Sequence, residues 1–148
     1  MLFTIPVLVC QILFKDIVGS DNLIVYFFGL ALIEEVFKFF AAWSAVHGSP
    51  SFDEPIDAMI YMVTAAAGFA TIENILIIVD TIHINDASPY PALNVILLRF
   101  VGATLLHILT SAIIGYYWAK VHALKTNHSP LISGIIIASF IHLVFNYL

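Results

Sequence analysis

The sequence predicts an all-α, polytopic transmembrane helix bundle with four full spans preceded by a short N-terminal apolar segment. Three observations carry that expectation. Hydrophobic residues make up 61% of the 148-residue chain and charged residues 10%, with a mean hydropathy of +1.02, whereas a soluble domain needs roughly a quarter of its residues charged to cover its surface. Four apolar runs approach the length of about 20 residues that a helix needs to cross a hydrocarbon core of about 30 Å. The pieces between the runs are short and turn-forming, so neighbouring helices are antiparallel and pack as one bundle. This composition excludes a soluble globular domain, a disordered chain and a collagen-like one. A net charge of -5 leaves no basic stripe for nucleic acid, and the single cysteine, Cys10, cannot close an intramolecular disulfide.

The first apolar run, residues 2–14, is short for a span and contains Pro6. It reads as a shallow anchor or the remainder of a longer span. No basic region precedes it and no small-residue cleavage site follows, so it is not a typical signal peptide. The full spans are expected at residues 23–47, 58–82, 94–120 and 130–148, joined by loops at 15–22, 48–57, 83–91 and 121–129. Residues 1–148 read as one membrane-embedded domain without an internal repeat. Alternation puts loops 48–57 and 121–129 on one side. Lys120 and Lys125 lie there against Lys15 on the other, so the positive-inside rule makes that side cytoplasmic. The expected location is the cell membrane, as a multi-pass integral protein.

The informative residues are those that apolar spans should not contain: Glu34, Glu35 and Lys38 in the first full span, Glu73 in the next, Arg99 and His107 in the third, His142 in the last. An ionisable group at bilayer depth costs a few kcal/mol, so such groups face the bundle interior and mark a site or pathway. At about 100° per residue, Glu34, Glu35 and Lys38 share one arc, with Ala31 and Ala41 beside them. Ala66 and Ala70 flank Glu73. Arg99, Ala103, His107, Thr110 and Ser111 form one stripe, and Ser139, His142 and Asn146 another. Small residues beside polar ones let helices approach closely while hydrogen bonds cross between them. Counted at about 1.5 Å per residue from the Lys15 side, these groups fall in one layer roughly 10 Å thick, in the extracytoplasmic half of the membrane.

Plainer readings exist for the same residues. Lys38, one turn after Glu34, makes the favoured i, i+4 ion pair, and Arg99 is able to neutralise Glu35 or Glu73, so the charges would merely glue helices together. Adjacent carboxylates repel, however, which suits acid–base work better than glue. A lone buried histidine is usually a hydrogen-bonded core residue, but two at the depth of three acids point to a site. His47, His83, His122 and His128 lie in loops or near interfaces and read as solvated. An ion or proton carrier or channel would use the same residue types, although no inverted repeat or Gly-Pro-broken span is visible. A non-catalytic membrane scaffold is the third reading.

Several intramembrane chemistries are missing their signatures. The chain has no HExxH, and the Ser133-Gly134 pair is preceded by Pro130-Leu131-Ile132, not by the GxSG context of a serine site. Asp80 sits at a span's end without the glycines of an aspartyl site, and no ExxH pair suggests a di-iron oxidase.

The string Glu34-Glu35-Val36-Phe37-Lys38 resembles the EExxK motif of the PrsW family of intramembrane proteases. Phe69-Ala70-Thr71-Ile72-Glu73-Asn74 resembles its FxxxE motif followed by Asn. Asp53-Glu54-Pro55-Ile56-Asp57, then Arg99 and His107, then His142-Leu143-Val144-Phe145-Asn146 follow in the matching order. The resemblance covers residues 23–148 and extends to the wider superfamily of CAAX-processing and bacteriocin-processing membrane proteases. Ala58 and Met62 stand where glycines are expected, and the chain stops soon after Asn146, as in a minimal member or a fragment.

The resemblance implies hydrolysis of a peptide bond in a membrane-protein or membrane-anchored peptide substrate, within a lipid bilayer. In the mechanism that these residues allow, Glu34 or Glu35 acts as general base on a water that His107 orients, and His142 and Asn146 donate to the oxyanion. Glu73 either protonates the leaving amine or joins His107, His142 and one of the paired glutamates as ligands of zinc, the expected cofactor. Lys38 and Arg99 support the cluster. A glutamate-type and a zinc-type mechanism both stay open at this level.

Overall fold

The computed structural model describes residues 3–19, 22–84, 89–125 and 127–147, the side chains at 81–84, 89–96 and 99 excepted. Five helices follow in order: α1 (Thr4–Val18), α2 (Leu23–Val46), α3 (Pro55–Ile84), α4 (Pro89–Leu124) and α5 (Ser129–Tyr147).

Local chemistry explains where these helices begin and stop. Gly19 ends α1 at φ 67°, its N–H donating to Lys15 O at 3.0 Å, a conformation that suits a residue without Cβ. Asn22 opens α2 by accepting from the N–H of Val25 at 3.2 Å. Proline occupies the first position of α3, where its missing N–H costs nothing. Asp57 reaches back to accept from the N–H groups of Glu54 at 2.9 Å and Asp53 at 3.2 Å. The Asp53–Asp57 stretch is therefore a helix start of the capping-box kind, and α3 begins ahead of the apolar run expected at residue 58.

Among the described residues, three stretches are both long and apolar enough to cross a membrane: Pro55–Asp80, Phe100–Leu124 and Ser129–Tyr147. Helix α2, whose 24 residues include Glu34, Glu35 and Lys38, is not among them, so three of the four full spans expected are supported among the described residues. Helix α1, with 15 residues, reaches only about 22 Å. Packing is inverted relative to a water-soluble protein. Ile5, Ile17, Leu98 and Val101 are between 66% and 82% exposed, while Glu35, Lys38, Thr110, Ser111 and Ser139 are at 0%. Such an apolar exterior is stable only against lipid.

The bundle has two storeys. Around the 48–57 end, Ala42, Val46, Met62, Ile114, Trp118 and Leu131 form an apolar core, with Phe52 stacked on Trp118 at 5.0 Å and Phe39 edge-on to it at 5.3 Å. Ala58 and Met62, at the positions where glycines were expected, are fully buried in this core. Helices α3 and α4 make its tightest seam: a Cβ on Gly115 would lie 2.7 Å from Met59 Cα, so only glycine permits this backbone approach. The other storey holds the polar residues. Helix α1 leans on α2 there, its Phe14 ring seated directly over Gly29.

Candidate functional site

Four helices contribute one buried face each to the polar storey. Glu34, Glu35 and Lys38 come from α2, His107, Thr110 and Ser111 from α4, and Ser139 and His142 from α5, all buried. From α3 come Glu73, partly exposed, and Asn74, buried and donating to Thr104 Oγ1 at 3.1 Å. The spacings i, i+1, i+4 on α2, i, i+3, i+4 on α4 and i, i+3 on α5 keep each set on one side of its helix.

Glu35 is the hub. Its Oε1 accepts from Lys38 Nζ at 2.6 Å, from His142 Nδ1 at 2.9 Å and from Thr110 Oγ1 at 3.0 Å. Lys38 Nζ also donates to His107 Nδ1 at 3.1 Å, and His107 Nε2 donates to Glu73 Oε2 at 2.7 Å. The expected Glu34–Lys38 pair is thus replaced by a Glu35–Lys38 pair at i, i+3. The reason lies across the bundle: Thr110, His107 and His142 draw Glu35 and Lys38 inward, while Glu34 turns toward α1. There Gln11 Nε2 donates to Glu34 Oε1 at 2.7 Å.

Glu34 Oε2 has no hydrogen-bond partner among the described residues and lies 3.5 Å from His142 Nε2. With its Nδ1–H donated to Glu35, the neutral His142 ring presents the lone pair of Nε2 to Glu34. Two acceptors at that distance repel unless a cation or a proton lies between them. One donor atom each from Glu34, His107 and His142 lies within 4.8 Å of the others. Two histidines and a carboxylate form a recurrent donor set of catalytic zinc sites, and the Glu35 contact to His142 is the outer-shell carboxylate such sites use. The residues present fit a zinc ion once His107 gives up one of its two ring hydrogen bonds, to Lys38 or to Glu73, with Glu34 taking the carboxylate position for which Glu73 was also a candidate.

The site opens on a cavity of about 330 Å³ between α1, α2 and α3, into which Gln11, Glu34 and Glu73 project. Glu35, Lys38 and His142 stay behind that wall. Asn146, one turn beyond His142, is exposed, and the contacts of the cluster do not include it. Arg99 lies on α4 with its side chain outside the described residues. Gln11 is the residue that sequence reasoning passed over, although an amide within the 2–14 apolar run was a legible signal.

A family model described as PrsW family intramembrane metalloprotease matches residues 1–148. The chain is similar to protease PrsW of Geobacillus kaustophilus, 30% identical over 123 positions, covering 82% of this chain and 50% of that protein. It is also similar to protease PrsW of Oceanobacillus iheyensis, 27% identical over 99% of this chain and 65% of the relative, and of Bacillus subtilis, 29% identical over 93% and 60%. The chain thus spans between half and two thirds of the length of these curated relatives. No solved structure matches it significantly.

Proposed function

The chain belongs to the PrsW family of intramembrane metalloproteases, and from that premise we propose that it hydrolyses a peptide bond of a membrane-protein substrate within the bilayer. The observation that carries this reading is the buried Glu34, His107 and His142 set behind a cavity on whose wall Glu34 and Glu73 lie. Family membership does not favour the carrier, channel or scaffold readings.

Glu34, His107 and His142 would hold zinc, whose chemistry when bound is Lewis acidity toward the scissile carbonyl and activation of water. The side chain of Glu73, 30% exposed on the cavity, takes the proton of the attacking water and delivers it to the leaving nitrogen as the C–N bond breaks. Buried Glu35 holds His142 in the tautomer that leaves Nε2 open, and Lys38 balances the charge of Glu35. From the motif match Arg99 keeps a supporting role and Asn146 that of a donor to the oxyanion. A glutamate-type mechanism without metal is favoured by one contact, the 2.7 Å His107–Glu73 hydrogen bond, since that pair is able to activate water by itself.

Four spans, with α2 as the fourth, and a cell-membrane location complete the proposal. Lys120 and Lys125 against Lys15 support cytoplasmic loops 48–57 and 121–129, which puts the site in the extracytoplasmic half. The test is cleavage of a co-expressed, doubly tagged single-span reporter. Glu34→Gln abolishes cleavage with the protein still in the membrane; full cleavage by that variant would overturn the proposal.

A further inference from the structure

Two cavities lie end to end along α3. The catalytic one, about 330 Å³, has Val7, Leu8, Leu76 and Ile77 among its apolar walls. The second, about 400 Å³, is lined by small residues of α2 and α3, including Ala41, Ala45, Ala65 and Gly68. Thr4 and Phe69 line both, so the two are successive stretches of one groove walled by α1. Along α3 it runs from Tyr61 to Asp80, about 28 Å at about 1.5 Å per residue, close to the thickness of the hydrocarbon core.

This groove carries features that lipid tails alone do not call for. Glu73, its side chain 30% exposed, lines the groove beside Gln11 and Glu34 at the depth of the apolar spans. Acyl chains cannot satisfy a carboxylate, whereas the N–H of a peptide can. A Cβ added at Gly68 meets nothing within 4 Å, so this glycine serves no tight contact inside the chain although it weakens a helix interior. The small residues around it allow another backbone to come close.

We propose that this groove is the substrate-binding site, and that it takes an apolar membrane-spanning segment of the substrate laid alongside α3, small side chains against Ala65 and Gly68 and the scissile bond level with Glu34 and Glu73. The proposal rests on the peptidase reading of the same cluster and adds to it where the substrate lies and which chemistry it presents.

Gly68→Trp tests it, because Gly68 lines the groove and a Cβ there meets nothing within 4 Å, so the bulk is added on the open side of α3. With a tagged single-span reporter carrying a Leu/Ala membrane segment, cleavage falls about tenfold or more, a loss of binding worth one decade, while membrane level and bound zinc stay at wild-type values. Ile136→Trp, on the lipid-facing side of α5, cleaves normally. Equal cleavage by wild type and Gly68→Trp overturns the groove and leaves the peptidase reading standing. A photo-crosslinking residue at position 68 in Glu73→Gln, which binds the reporter without cutting it, gives a readout independent of cleavage. Crosslinks to the reporter support the groove, whereas crosslinks only to lipid or to a second copy of the chain overturn it. Reporter crosslinks from a wild-type chain that cleaves nothing would instead remove the peptidase reading and keep the binding site.

Discussion

His142 donates its Nδ1–H to Glu35 Oε1 across 2.9 Å, so the buried face of α5 is keyed to the buried face of α2 and Nε2 is left facing Glu34. Outer-shell carboxylates of this kind are worth about 10- to 100-fold in metal affinity or activity. Glu35→Gln keeps an acceptor but loses the charge, so zinc affinity falls by about that factor and cleavage falls with it. Zinc titration of purified protein checks this; unchanged affinity would separate Glu35 from the site.

Glu34 and Glu73 part company in the same assay. Glu34→Gln removes a ligand, and both zinc and cleavage are lost. Glu73→Gln retains zinc but lowers kcat by about 10²- to 10⁴-fold, the usual scale for a general base. Equal loss of zinc in the two variants would assign Glu73 to the ligand set instead.

Lys38 and Glu35 are both fully buried and 2.6 Å apart, so Lys38→Met leaves an uncompensated charge in a low dielectric. Breaking such a pair costs about 3–5 kcal/mol, seen as a lower unfolding temperature in detergent. The double change Lys38→Met with Glu35→Leu recovers most of that stability but not zinc binding or cleavage. A double variant as unstable as the single one would argue against the ion pair as the cause.

Zinc itself distinguishes the two mechanisms. Wild type is expected to hold about one zinc per chain and His107→Ala close to none, with strong chelators abolishing cleavage and added zinc restoring it. Full activity in metal-free protein would establish the glutamate-type mechanism.

Orientation is open to labelling with an impermeant maleimide after Cys10→Ser. Asp16→Cys, before α2, reacts in intact cells, whereas Ser51→Cys, between α2 and α3, reacts only after permeabilisation. The reverse pattern would put the site in the cytoplasmic half.

Composition and apolar run length were enough to determine a helical membrane bundle, because crossing a hydrocarbon core leaves a chain this apolar few alternatives. Helical period alone put Glu35, His107, Thr110 and His142 on inward stripes, since a polar residue within such a run must turn away from lipid. Capping was less visible: Asp53–Asp57 was legible as a motif, but its role in starting α3 depends on backbone groups that Asp57 reaches. Tertiary structure decided the pairings. Spacing favoured Lys38 with Glu34, yet the neighbouring helices supply His107, Thr110 and His142 around Glu35 and Gln11 beside Glu34. Periodicity sets the angle of a side chain about its own axis, while the rotation and axial offset between helices set which side chains meet. Those two quantities come from packing the whole bundle, including the close α3–α4 seam at Gly115 and the lean of α1 on Gly29. The same offsets put Asn146 one turn beyond the packed layer and bring a carboxylate oxygen of Glu34 within 4.8 Å of ring nitrogens of His107 and His142.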